Sequence, residues 1–393
     1  MRGLVGNPQL LRTMNERLLL DHLLAGGPAS RGDLAKATGL SKPTVSAALA
    51  GLEAAGLVHL VGSLGGRPGP TTAIYDLNTA AGHVAGIDIG RDWIRLAIAD
   101  LRGAFIARRD VRNGARSAAD LVRRVRQLAD AVADEAGVPW TSVSHAVIGS
   151  PGVLNPSTGR LDFAPNLPGW GRPGLVDKLR ATLEVDFAIE NDINLAAVGE
   201  LAFGAGRGHS DFVLVSVGTG VGMGIVINGS LYVGARGAAG EVAYVPAADP
   251  GIPSPEARQR GMTEAATSAG GIARAARAAG LSFASAKEVF AAAASGDHRA
   301  LAVVEAEGRR LGALVVAVAA ILDPDIVVLA GGVGRNLAML GDAISRRIEE
   351  LGPLRPSIVA STLGDGGVLQ GAVARALDVA RERLFSNSRS ANR

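Results

Sequence analysis

The sequence contains no cysteine. Disulfides and thiolate metal ligands are therefore excluded from its chemistry. Long hydrophobic runs are missing as well. The longest near the C-terminal end, Leu311 to Leu322, falls short of the roughly 18 residues that a membrane span needs. The first residues lack the charged-then-apolar pattern and small-residue cleavage site of a signal peptide. A cytoplasmic location is the expectation. An excess of one charge is missing too: 40 Lys and Arg stand against 37 Asp and Glu, for a net charge of +3. The pI is about 9.6, but the basic residues are spread along the chain, so charge alone does not argue for nucleic acid.

What the chain does have is apolar content, 48%, and 53 glycines in 393 residues. That length exceeds one compact core and predicts two or three domains. The first stretch reads as a helix with Leu10, Leu11, Met14, Leu18 and Leu19 on its buried face, stopped by Gly26-Gly27-Pro28. A short helix follows, with Ser30 as N-cap and Gly39 as its break. A third opens at Ser41, holds Pro43 in its first turn and ends at Gly56. Two short helices joined by a tight Gly-containing turn are the pattern of a helix-turn-helix. The segment from Leu57 to Asn78 alternates apolar and polar residues around a Gly/Pro-rich turn, a β-hairpin pattern. Residues 1–80 are thus expected to form a winged helix-turn-helix. Ser41, Lys42, Thr44 and Ser46 would meet base edges in the major groove, and Arg67 on the wing tip would enter a neighbouring groove of a double-stranded operator. A helical oligomerisation module with a decorative hairpin is the competing reading.

Past residue 80 an internal echo appears. Residues 83–111 read as three strands turning at Gly90–Trp93 and at Asp100–Gly103. Residues 211–237 repeat the scheme, with turns at Gly218–Gly222 and at Asn228-Gly229. Each set leads into α/β alternation, so residues 81–385 are expected to form two similar lobes around a ligand cleft. The last residues, 386–393, read as a disordered tail.

Within the cleft region, Gly218, Gly220 and Gly222 offer backbone N–H groups, and Thr219 adds a hydroxyl, as in a phosphate-binding loop. Asn191 and Asp192 stand just after a buried strand, where an amide and a carboxylate suit sugar hydroxyls and the carboxylate could deprotonate one. Asp192 also reads as the N-cap of the next helix. Asn166 with Trp170, Glu241 and Glu264 complete the set. Any one of these is more often a solvated surface group; their joint spacing asks for a common explanation.

Taken together, the stretches GIDIG, GSPGVLNPSTGRLDFAPNLPGW, ENDINLAAVGE, SVGTGVGMGIV, GARGAAGE, MTEAAT and LAGGV resemble the ROK family (repressors, open reading frames and kinases), on its repressor branch, similar to xylose and N-acetylglucosamine repressors. The resemblance implies a two-lobed sugar-kinase/actin-like (ribonuclease H-like) fold behind the winged helix. It implies sugar contacts from Asn166, Asn191, Asp192, Glu241 and Glu264, with Asp192 at the catalytic base of the kinase members.

Two departures qualify it. Family kinases follow the first DIG with Gly-Thr, whereas this chain has Arg91-Asp92. A carboxylate facing phosphates at 4 Å costs about 1 to 4 kcal/mol, depending on dielectric, so this loop reads as the relic of a nucleotide site. The family's zinc site uses a His and three Cys. Here Tyr244, Pro255, Ala257 and Met262 stand at those positions, so no zinc and no other cofactor is expected. The resulting expectation is a non-enzymatic transcriptional regulator, expected to be a repressor, of carbohydrate genes. It would be a homodimer or homotetramer that responds to a sugar or sugar phosphate. The alternatives are an active sugar kinase carrying a DNA-binding domain, and a regulator that no longer binds any ligand.

Overall fold

The computed structural model describes residues 8–64, 72–155, 160–162, 174–246 and 254–390. Three helices open the chain: α1 (Pro8–Gly26), α2 (Arg31–Thr38) and α3 (Lys42–Ala54), with a two-residue strand β1 (Ala29–Ser30) between the first two. Local signals set their ends. Ser30 and Asp33 form a reciprocal capping box on α2, and Gly39 closes that helix with φ 72°. Ser41 caps α3 through Thr44 N–H, with Pro43 in the first turn. Strands β2 (Val58–Leu64) and β3 (Thr72–Leu77) pair antiparallel, and β1 adds to β3, giving the order β1-β3-β2. This is the expected winged helix; its tip, with Arg67, lies outside the described residues.

One detail of α1 differs from expectation. Leu19, Leu20 and Leu23 are the buried residues, while Leu11, Met14 and Leu18 are 54%, 59% and 42% exposed. The helix carries leucines on two adjacent stripes, and periodicity alone does not say which stripe meets the core. The core of this unit joins Leu19 and Leu23 to Val45, Leu49 and Leu52 of α3, and it runs on into Val84, Leu101 and Leu377 beyond the winged helix.

Lobe one is built on β4 (His83–Ile89), β5 (Trp93–Ala99), β6 (Phe105–Arg112), β7 (Val143–Ser150) and β10 (Phe187–Asn191). The short pair β8 (Val153–Asn155) and β9 (Arg160–Asp162) stands apart, and α4 (Ala118–Ala136) and α5 (Leu175–Leu183) cover one face. Lobe two is built on β11 (Phe212–Val217), β12 (Val221–Ile227), β13 (Ser230–Leu231), β14 (Ile326–Ala330) and β15 (Ser357–Ala360). The sheet orders are β10-β7-β4-β5-β6 and β15-β14-β11-β12-β13. Both are an antiparallel meander extended on one side by two parallel strands. The two lobes are the same design twice, as the repeated sequence pattern predicts. The third strand of the second meander shrinks to two residues.

Between the lobes run α6 (Asp192–Phe203) and, at the end of the chain, α14 (Gly367–Ser390). The helices of lobe two lie between them in sequence: α7 (Pro255–Arg260), α8 (Met262–Thr267), α9 (Ala269–Ala278), α10 (Ala286–Ala294), α11 (His298–Leu322), α12 (Gly331–Gly334) and α13 (Leu337–Leu351). A Cβ on Gly371 of α14 would stand 1.7 Å from Leu195 O of α6, so the two backbones touch where only glycine fits. Helix α14 continues to Ser390, past residue 386, where a structureless tail is the expectation. Extending an existing helix costs far less than starting one, and Ser and Asn only weaken it.

Candidate functional site

The parallel strands of lobe one deliver their carboxyl ends to the mouth between the lobes, and β10 ends there on Asn191. Asn191, rather than Asp192, is the N-cap of α6: its Oδ1 accepts from Ile193 N and Asn194 N, each at 3.0 Å, and its Nδ2 donates to Gly152 O at 3.3 Å. The expected cap assignment moves back by one residue because the amide oxygen reaches two orphan N–H groups from the extended position. Asp192 is thereby left as the first helical residue, with Oδ1 on Ile193 N at 2.9 Å and its carboxyl in the cleft. Burial, and next the charge of Asp88, push that carboxyl up to about 7; Glu241 adds in the same direction.

The cleft encloses about 370 Å³, within the range of small-ligand sites. Asp192 and Asn191 line it from lobe one, and Glu241, Glu264 and the glycine loop line it from lobe two. Four of the five sugar-site residues expected from sequence therefore converge on one cavity. The fifth, Asn166, lies outside the described residues, as does Trp170. Glu241 follows Gly240, whose φ of 90° and contact with Met223 O leave no room for a side chain. Burial and the nearby Glu264 raise the Glu241 carboxyl.

Glu264 is more committed than the sequence implies. Its Oε2 accepts from Val221 N at 3.0 Å and its Oε1 from Arg260 Nε at 2.9 Å. Gly218 N in turn bonds within the loop to Gly220 O at 2.9 Å. Part of the backbone expected to be free for a phosphate is thus engaged, and Glu264 acts as a brace on the loop. The same loop borders a second cavity of about 680 Å³, where Lys287, Phe290, Arg335 and Met339 face Gly218 and Thr219.

Around the first turn, Gly90 N bonds Trp93 O at 2.9 Å and closes a tight hairpin. Arg91 and Asp92 are exposed at its tip. The charge inside the cleft is instead Arg95, which the sequence reading passes over. It sits opposite Asp88 in the β4–β5 register, donates to Asp88 Oδ2 at 2.7 Å, and lies 3.5 Å from Asp110, which Arg108 holds by two hydrogen bonds. Burial pushes the Asp88 carboxyl up against the pull of Arg95. An arginine within an otherwise apolar strand, directly across from a buried aspartate, is the signal that would have found this pair.

At the position of the family zinc site, Tyr244 is half-exposed and its hydroxyl donates to Gln259 O at 3.2 Å. Pro255, Ala257 and Met262 offer no nitrogen or thiolate side-chain donor, so these residues do not fit a tetrahedral zinc. Among the described residues no group of three or more His, Cys, Asp or Glu is placed to hold a metal ion.

The start of α3, where the sequence leads one to expect base contacts, is exposed. Ser41 and Lys42 are exposed, Thr44 and Ser46 half-buried, and the opposite face of α3 buries Val45, Ala48, Leu49 and Leu52. Ser41 and Thr44 also bond each other through their hydroxyls at 2.8 Å.

A winged helix joined to a two-lobed sugar-kinase-like body with a carboxylate-lined cleft defines the class of this protein. The chain belongs to the ROK family, which it matches over residues 84–379, and residues 12–67 match the MarR family of winged-helix regulators. It is 32% identical over 292 residues to a glucokinase of Thermotoga maritima, a match covering 70% of this chain and 86% of the enzyme. To the xylose repressor of Bacillus subtilis it is 30% identical over 247 residues, covering 61% of this chain and 62% of the repressor. Among solved structures, a ROK family transcriptional regulator described as a homologue of the E. coli MLC protein superposes with TM-score 0.78 at 21% identity. That match spans 96% of this chain and 98% of the other, a likeness of fold that includes the winged helix. A ROK family glucokinase from Streptomyces griseus, solved with glucose and AMPPNP, matches 77% of this chain and all of its own, with TM-score 0.64 and 26% identity. Among the described residues no helix is long and apolar enough to cross a membrane.

Proposed function

We propose that the protein is a transcriptional repressor that binds double-stranded operator DNA through α3 and the wing, as a symmetric oligomer, and whose cleft binds a sugar that alters DNA affinity. The observation carrying this reading is the pairing of an exposed, capped recognition helix with a cleft in which Asp192 and Glu241 converge as hydroxyl acceptors. A hydrogen bond contributes about 0.5 to 1.5 kcal/mol, and about 1.5 to 3 kcal/mol where the carboxyl is ionised, so two or three support micromolar to millimolar affinity after ordering costs. The similarity to xylose repressors supports the regulatory role. No zinc or other cofactor enters the proposal.

One observation favours a second reading, an ATP-dependent sugar kinase with a DNA-binding domain. A carboxyl at about 7 is well placed to act as a general base at neutral pH, and the glucokinase relatives share the body of the chain. Against it stands Arg95, paired with Asp88 where the first phosphate loop opens. Transfer depends on positioning the polyphosphate, and this chain puts a salt bridge at one half of the cradle.

Calorimetric titration with D-xylose, D-glucose and N-acetylglucosamine, followed by incubation with ATP and each sugar, separates the two. The proposal expects binding without sugar-dependent ATP consumption. Consumption that disappears in Asp192→Asn would establish the kinase, and no binding of any sugar would end the sensing reading.

A further inference from the structure

We propose that the β5–β6 turn, Asp100 to Gly103, is a latch that carries the state of the cleft to the winged helix, with Arg102 as its positioning residue. The signal it carries rests on the sugar-sensing reading above; the mechanical link rests on contacts at both ends of α6.

Helix α6 is the rod. Its first residue is the cleft carboxylate Asp192, and its last is Phe203, roughly 16 to 17 Å away at 1.5 Å per residue. Along one flank it lies against lobe two: a Cβ on Gly224 would come within 2.6 Å of Ala197 Cβ, and one on Gly222 within 3.1 Å of Ile193. Along the other it is locked to α14, where a Cβ on Gly199 would stand 2.4 Å from Gly367 O. Helices touching backbone to backbone do not slide independently, so α6 and α14 respond to the lobes as one body.

The far end of that body meets the turn. A Cβ on Gly103 would lie 3.0 Å from the Phe203 ring and 3.1 Å from Leu377 of α14, and the residue holds φ +85°. Arg381 of α14 donates to Leu101 O at 3.0 Å. The turn itself is stiff: Asp100 Oδ1 accepts from Arg102 N at 2.9 Å and from Ala104 N at 3.0 Å.

From the other side the turn grips the winged helix. The Arg102 guanidinium pairs with Asp76 of β3 and donates to Leu23 O of α1 at 3.2 Å, while Leu101 N donates to Thr79 O at 3.2 Å. Leu23 shares a core with Val45, Leu49 and Leu52 of the recognition helix. A displacement of α6 is thus handed through one turn to the element that reads DNA. The junction also has donors left over. The Nε atoms of Arg102 and Arg381 are buried with no hydrogen-bond partner among the described residues, and an arrangement of the turn that pairs them is the second state the latch requires. Two discrete arrangements of one packed element are what transmit a signal between sites.

The test uses the full chain as wild type, Arg102→Ala and Arg102→Lys, with an operator that the protein itself selects from a random duplex pool. Operator affinity is read by fluorescence anisotropy at fixed salt, with and without saturating D-xylose or D-glucose, and sugar affinity by calorimetry. Wild type should show a sugar-dependent shift of about 5- to 150-fold. Arg102→Ala should lose the shift while both separate affinities stay near wild type, and Arg102→Lys, which keeps the pair with Asp76, should restore part of it. A full shift in Arg102→Ala overturns the latch. If neither sugar acts on wild type, the sensing reading falls and the latch is judged by amide hydrogen exchange. Arg102→Ala must then exchange faster in α1 and β3 with lobe two unchanged, and equal exchange there overturns it.

Discussion

At Asp192 one carboxyl carries three environments: a helix N-terminus, a neighbouring aspartate and burial between the lobes. The native state raises it from 3.8 to about 7, so the folded protein holds this proton more tightly than the unfolded chain. Its contribution to stability is full below pH 4 and is lost as pH rises through 7. The shift corresponds to about 4 kcal/mol. Asp192→Asn should therefore be more stable than wild type at pH 8, by up to about 4 kcal/mol, and gain little at pH 4. Urea unfolding at the two pH values measures this, and an equal gain at both would contradict it. Glu307 is buried and raised to about 8; it acts in the same direction in both proteins and so cancels from the comparison. The neighbours of Asp192 show what a residue-by-residue reading can reach. Asn191-Asp192 at a strand end and Glu241 after a glycine were legible because short motifs fix their place. The service of Glu264 as a brace was not: Arg260 lies one helical turn away, but Val221, 43 residues back, becomes its partner only after the loop folds over. Arg95 was legible in principle, since register puts it opposite Asp88, yet an arginine between apolar residues is easily taken for a strand-edge charge.

Helix ends were the most legible elements, because capping is local chemistry. Ser30 with Asp33, Ser41 with Thr44, and Gly39 with its positive φ each act within a few residues. The buried face of α1 was not legible, because two leucine stripes compete and only tertiary packing chooses between them. For the DNA-binding unit the same contrast sets a prediction. Helix α3 leaves its cap Ser41 and its first residue Lys42 exposed, and β2 and β3 flank residues 65–71, which include Arg67. Arg67→Ala should weaken operator binding by about 1 to 3 kcal/mol, the range of one good groove contact. Unchanged affinity in a titration at fixed salt would remove the wing from the interface.

At the scale of the molecule, duplication was legible because each meander repeats its turn glycines, and the matching sheet orders follow from it. The joint between the two lobes and the winged helix was not. Arg102 and Asp76 are 26 residues apart and Arg381 and Leu101 are 280 apart, and no periodic pattern links such pairs. In the proposed function, sugar is recognised at one end of α6 and DNA beyond the other. Since Asp192 is remote from the winged helix, its loss should silence the response without weakening DNA binding. The decisive measurement is operator affinity by anisotropy, with and without D-xylose and D-glucose, for wild type and Asp192→Ala side by side. A sugar-sensing repressor should show a sugar-dependent shift of about 5- to 150-fold in wild type, none in Asp192→Ala, and equal affinities in the absence of sugar. An Asp192→Ala protein that responds like wild type would contradict it.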